Sequence, residues 1–215
     1  MGCDIHGVFQ ERHGNKLPLW VDIESKYEFN RHYQLFAVFA GVRNGFGFAG
    51  IPTGDSVDPI SEPRGLPDDF VVKNGEDHPV NFEDVLSEID RECQTDGEEP
   101  YVWMGDHSHS WLSGEELIEW RKKDVSATQC GVLSREEYSK WNGMDRPPSY
   151  CGACSGPDTI VIDNTNYGKS CHPNWTHIRC QWNSRLSDEL GYFFDEVERL
   201  AGEHGSIRFV FGFDS

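Results

Sequence analysis

Ile207-Arg208-Phe209-Val210-Phe211-Gly212-Phe213-Asp214, at the end of the chain, alternates large apolar residues with a mixed set. Side chains two apart in a strand share a face. Ile207, Phe209, Phe211 and Phe213 therefore form one row directed at a core, and Arg208, Val210, Gly212 and Asp214 take the opposite side. The opening Cys3-Asp4-Ile5-His6-Gly7-Val8-Phe9 has the same period, with Cys3, Ile5 and Phe9 on one side and Asp4 and His6 on the other. Strands at both ends with helical patterns between them predict an α+β fold. The expected architecture is a mixed or antiparallel sheet that includes the N- and C-terminal strands and packs against several helices.

Working inward, residues 17–23 read as the return strand of a hairpin turned at Gly14-Asn15. Asn30 is placed to cap a helix running to about Val42, apolar on most sides and hence buried. Asn81 is placed to cap another, with Phe82, Val85, Leu86, Ile89 and Cys93 at helical spacing. Leu112-Ser113-Gly114-Glu115-Glu116-Leu117 and Leu133-Ser134-Arg135-Glu136-Glu137-Tyr138 each hold a capping box, Ser to Glu three residues on. Residues 159–163 and 175–182 read as strands, the second with Ile178, Cys180 and Trp182 on its apolar face. A helix capped near Ser184 or Ser187 follows, with Leu186, Leu190, Phe193, Val197 and Leu200 as its stripe. Residues 45–67 form a long loop punctuated by Gly and Pro, either a functional cover or a solvated insertion. The chain reads as a single α+β domain over 1–215, with a small Cys-rich, zinc-binding subregion at 147–182.

Net charge is −18, from 37 acidic against 19 basic residues. That field repels phosphate backbones and argues against direct binding along a nucleic acid, while leaving room for a small anion held by local arginines. No segment approaches the 18 or more apolar residues of a membrane span. No leader pattern is evident, and seven cysteines are an odd number. The expectation is therefore a cytoplasmic protein with reduced thiols, compatible with a homo-oligomer. No P-loop, dinucleotide fingerprint, Gly-x-Ser-x-Gly elbow or kinase motif is present.

Two short clusters carry the chemistry. Asp4-Ile5-His6 and Asp106-His107-Ser108-His109 together offer imidazoles and carboxylates, the usual donors for a borderline divalent metal and for proton transfer near neutral pH. If the terminal strands pair, Asp4, His6, Arg208 and Asp214 share a face, and Asp106 to His109 brought over it would complete a site. Asp4, His6, His107 and His109 are then candidate ligands of a divalent transition metal such as zinc, manganese or iron. Asp106 or Asp214 would serve as ligand or general base of a hydrolase. Arg43, Arg64 and Arg208 are scarce cations suited to clamping a phosphate or carboxylate, or else to ordinary surface ion pairs. The second cluster is Cys151-x-x-Cys154 followed by Cys171-His172, His177 and Cys180. It has the make-up of a small structural zinc site, although a second Cys-x-x-Cys is missing and Cys180 falls on an apolar strand face. Buried reduced thiols are the alternative.

Met1-Gly2-Cys3-Asp4-Ile5-His6, the segment from Leu35-Phe36-Ala37 through Gly41-Val42-Arg43-Asn44, Arg64-Gly65-Leu66-Pro67, His107-Ser108-His109-Ser110-Trp111-Leu112 and Phe211-Gly212-Phe213-Asp214 resemble a family of hypothetical proteins common in bacteriophage genomes. The resemblance spans most of the chain apart from residues 151–180. It implies a phage or prophage origin and supplies no catalytic residues. Small acidic phage accessory proteins act against host defence, including on nucleotide signals, and that context colours three expectations. One is a metal-assisted hydrolase of a small phosphorylated or nucleotide-like ligand. The others are a non-catalytic protein that sequesters a nucleotide signal, and an acidic inhibitor of a host nucleic-acid-binding protein.

Overall fold

The computed structural model describes residues 2–13, 19–73, 79–81, 104–163 and 173–214. In chain order its elements begin with β1 (Ile5–His13), β2 (Leu19–Ile23), α1 (Tyr33–Ala40), β3 (Val71–Lys73), β4 (Pro79–Asn81), β5 (His107–Ser113) and α2 (Gly114–Arg121). They continue with β6 (Ser126–Ser134), α3 (Arg135–Lys140), β7 (Val161–Asp163), β8 (His177–Arg185), α4 (Leu186–Glu189), α5 (Gly191–His204) and β9 (Ile207–Phe213). The chain divides into a terminal unit, residues 2–32, 60–122 and 192–215, and a medial unit, residues 33–59 and 123–191. The fold is α+β, and its terminal strands pair.

The terminal unit holds an antiparallel sheet in the order β2-β1-β9-β5. Ile5 pairs with Phe213, His6 with Gly212, Phe9 with Phe209 and Gln10 with Arg208, so the two chain ends form the middle of the sheet. One face is an aromatic core. The Phe209 ring lies 4.8 Å from Phe9, 5.1 Å from Phe29 and 5.7 Å from Phe193 of α5, at spacings favourable for ring contacts. The opposite face is covered too, which the alternating pattern did not foretell: Val8, Val210 and Trp111 pack with Leu66, Phe70 and Met104. All seven residues of β9 are buried in consequence. β3 and β4 form a separate antiparallel pair.

The medial unit is built on β6-β8-β7, antiparallel then parallel. Leu133, Ile178, Cys180 and Trp182 share one face and pack with Tyr138, Trp141, Tyr150, Ile162 and Trp175. Both capping boxes occur where expected, Ser113 bonding the Glu116 N–H and Ser134 that of Glu137, with each Glu returning to the Ser N–H. Two strands that lead into those helices, β5 and β6, were not anticipated. The first helix starts at Tyr33 and not behind Asn30, and stops at Ala40, where Gly41 adopts φ +67°. The helix expected from Ser184 or Ser187 is two helices: Ser184 lies inside β8, and Leu190 breaks the run between α4 and α5. Asn81 closes β4, and the helix expected over residues 82–93 lies outside the described residues.

The loop at 45–67 contributes to both units. Its medial part is tied by Thr53 N–H to Gly45 O (2.9 Å), Asp55 N–H to Thr128 O (2.8 Å) and Cys130 N–H to Thr53 O (2.8 Å). In the terminal part, Gly65 N–H donates to His109 O (2.9 Å) and Arg64 N–H to Ser110 Oγ (3.1 Å). Among the described residues no helix is long and apolar enough to cross a membrane.

Candidate functional site

The end of the central strands gathers most of the His and Asp residues singled out in the sequence. Asp4 N–H donates to Asp214 Oδ1 at 2.8 Å, and Asp214 N–H to Asp4 O at 3.2 Å. His6 Nε2 meets Asp214 Oδ2 at 3.3 Å, with the two side chains 30% and 23% exposed. A carboxylate that orients an imidazole in this way is the standard support for proton transfer or for metal ligation by a histidine. Asp4 is gripped by Arg31, whose Nε and Nη2 reach its two oxygens at 2.5 and 2.7 Å. The hydrogen-bonded Arg31 guanidinium lowers the Asp4 pKa and keeps the carboxylate ionised.

Glycine makes the next approach possible. Gly212, paired with His6, sits beneath the His109 ring: a Cβ there would be 2.6 Å from His109 Cδ2 and closer still to the Met104 carbonyl oxygen. His109 Nε2 donates to Gly105 O at 2.9 Å, which requires that nitrogen to carry the proton. Gly105 has φ +80° and passes close to the Phe213 backbone, where a side chain would collide. His6 and His109 thus flank Gly212 on one sheet face, with Asp4 and Asp214 beside them.

His107 does not join them. Pairing shifts between His107, opposite Phe213, and Ser110, opposite Phe211, so β5 carries one extra residue there, and Ser108 has φ +52°. A bulge of this kind re-aims the side chains on either side of it. His107 stacks on Phe213 at 6.1 Å and meets Ser108 Oγ at 3.0 Å, on the aromatic face. Asp106 is exposed and is anchored through its backbone, N–H to Phe213 O at 2.6 Å.

The arginines fare differently from one another. Arg43, at φ +54°, lines a medial cavity with Tyr33 and Gln129. Arg64 forms a two-pronged ion pair with Glu116 and lies 5.1 Å over Trp111. Glu116 is also the capping-box residue of α2, and its pKa is lowered by Arg64 first, against burial, with help from Ser113. Arg208 is 3% exposed, on the face of His6 and Gly212 but four residues further along.

In the cysteine cluster, Cys151 is exposed and Cys154 half-buried. The Cys154 thiol pKa is raised by burial and then by neighbouring Cys151. Cys180 is fully buried in the apolar cluster of Leu133 and Trp182, and Cys171 lies outside the described residues. Among the described residues no group of three or more His, Cys, Asp or Glu side chains is arranged to hold a metal ion.

Gly105, Gln10 and Asp69 also shape this sheet face and were not among the residues expected at the site, and Gly212 was placed on the face without a role. Gln10 simply continues the polar row of Asp4 and His6, so its residue type alone did not mark it. Comparison of the chain with protein-family models, curated proteins and solved structures finds no match.

Proposed function

We propose that the protein is a metal-assisted hydrolase of a small phosphorylated or nucleotide-like ligand, acting in a host cytoplasm on behalf of a phage. The observation that supports it is the placement of Asp4, His6, His109 and Asp214 on one sheet face at one end of β1, β9 and β5, a set that does not form a metal-holding group as it stands and would have to draw together around an ion. Two carboxylates and two imidazoles make a donor set suited to zinc or manganese, and a metal so held lowers the pKa of bound water. Arg31 neutralises Asp4 in the structure, and a divalent cation would replace it as the partner of that carboxylate. Asp214, hydrogen-bonded to His6, is the residue we assign to orienting that imidazole, either as ligand support or as general base. Cys151 and Cys154 are proposed as half of a separate structural zinc site.

The test is the metal content of protein purified without added metal, with hydrolysis of a generic phosphomonoester as the second readout. His6→Ala with His109→Ala should abolish both while the fold persists. Metal and turnover retained in full by the double variant would overturn the reading. Sequestration of a nucleotide signal without turnover is the second reading, favoured by the cleft beside Arg208.

A further inference from the structure

Arg208 lies on the face that carries His6, about 13 Å further along the strand. Its Nε donates to Gln10 Oε1 at 2.8 Å and its Nη1 to Asp69 Oδ1 at 2.6 Å. Gln10 passes the polarity on to Asp22 Oδ1, also at 2.8 Å. The guanidinium carbon sits 4.3 Å over the Trp20 ring. The remaining nitrogen, Nη2, is buried and has no hydrogen-bond partner. An unpaired buried donor on a charged group is costly, and folded proteins seldom retain one without an occupant or a task for it.

Arg208 forms part of the wall of a cleft of about 740 Å³, together with Arg12, Trp20, Arg64, Trp111, Asp68 and Asp69. That volume is within the range of small-molecule sites. Of the three guanidinium groups, that of Arg64 is committed to Glu116, while Arg12 is exposed on the rim. The side chain of Asp69 is 51% exposed, so water can take over its solvation if its oxygen leaves Nη1.

We propose that this cleft binds a small organic oxyanion, a phosphomonoester or a carboxylate. The oxyanion takes Nη1 and Nη2 of Arg208 together, and Asp69 acts as the resident counter-ion that it displaces. A two-pronged acceptor matches the fork of a guanidinium in geometry as well as charge. Trp20 fixes the plane of that fork from one side, and Arg12 adds a second cation at the mouth. Asp68 faces the same cleft and sets a limit on the anionic charge a ligand can carry. The site is separate from the His6–Asp214 cluster, because Val8, Val210 and Trp111 pack with Phe70 and Met104 between them.

Isothermal titration of the full chain with adenosine monophosphate, benzoate and adenosine reads the proposal directly. Saturable binding of the nucleotide or of benzoate, with none of adenosine, is expected; which of the two binds identifies the oxyanion. Asp69→Asn removes the counter-ion at a half-exposed position and should tighten binding about tenfold. Arg208→Lys keeps the charge, loses the fork and should abolish binding. Absence of binding by all three compounds, or an Asp69→Asn affinity equal to or weaker than wild type, would overturn the proposal. The surface position of Asp69 keeps the test valid even if Arg208→Lys fails to fold.

Discussion

Gly212→Ala adds one methyl group at the most crowded point of the candidate site. A Cβ at this position would lie 2.6 Å from His109 Cδ2 and 3.2 Å from its Nε2, and nearer than either to the Met104 carbonyl oxygen. The ring could turn aside, but the carbonyl is backbone, and β9 is hydrogen-bonded on both edges, to β1 and to β5. The strand has no free side toward which to move. Overpacking of this kind costs roughly 1–3 kcal/mol, and rigid neighbours on every side place Gly212→Ala near about 3. For a chain of this length that corresponds to a fall in melting temperature of about 6–12 °C. Gly202→Ala is the control. It adds the same methyl in α5, where nothing lies within 4 Å, and should raise stability by roughly 0.5–1 kcal/mol through helix propensity. Thermal and urea melts of the two variants should move in opposite directions. A Gly212→Ala protein as stable as wild type would show that Met104 and His109 do not close over that glycine, and the geometry of the site would fall with it.

Two further outcomes follow from single groups. Glu196, 7% exposed, accepts from the Lys26 N–H and Ser25 Oγ and pairs with Arg199, which is first among the causes that lower its pKa from 4.5 to about 2. Because the folded value is the lower one, its stabilisation is complete above about pH 4.5 and is lost as pH falls toward 2. Acid titration of unfolding free energy should show a loss of up to roughly 3 kcal/mol over that window, absent in Glu196→Gln. Gln129 is 3% exposed, and neither its Oε1 nor its Nε2 has a partner. Gln129→Met, similar in volume, should therefore raise stability by about 1 kcal/mol in urea denaturation, and a loss instead would show that a polar occupant satisfies the amide.

What could be read from the sequence was mostly local. The capping boxes at Ser113 and Ser134 were placed to the residue, because a Ser hydroxyl and a Glu three residues on satisfy orphan N–H groups without help from elsewhere. The apolar rows of β9 and β8 were equally legible from a period of two. β5 and β6 were overlooked because their strand character depends on partners distant in sequence, while the helix caps at their ends are conspicuous. Alternation would have put His107 and His109 on the same face; the bulge at Ser108 separates them, and no residue type announces it. Arg208 was read as an anion clamp or a surface ion pair, and its burial was not legible because the second cover of the sheet, Leu66 to Phe70 and Met104, comes from segments with no periodic signal. The grip of Arg31 on Asp4 was likewise invisible, since 27 residues separate them.

Elemental analysis of the wild-type protein and of His6→Ala/His109→Ala, both purified without added metal, decides whether the end of the sheet at His6 and His109 holds an ion. A transition metal is expected in the wild type beyond any held by the cysteine region, with its loss in the double variant and the circular dichroism spectrum unchanged. Equal metal content in the two proteins would contradict that expectation.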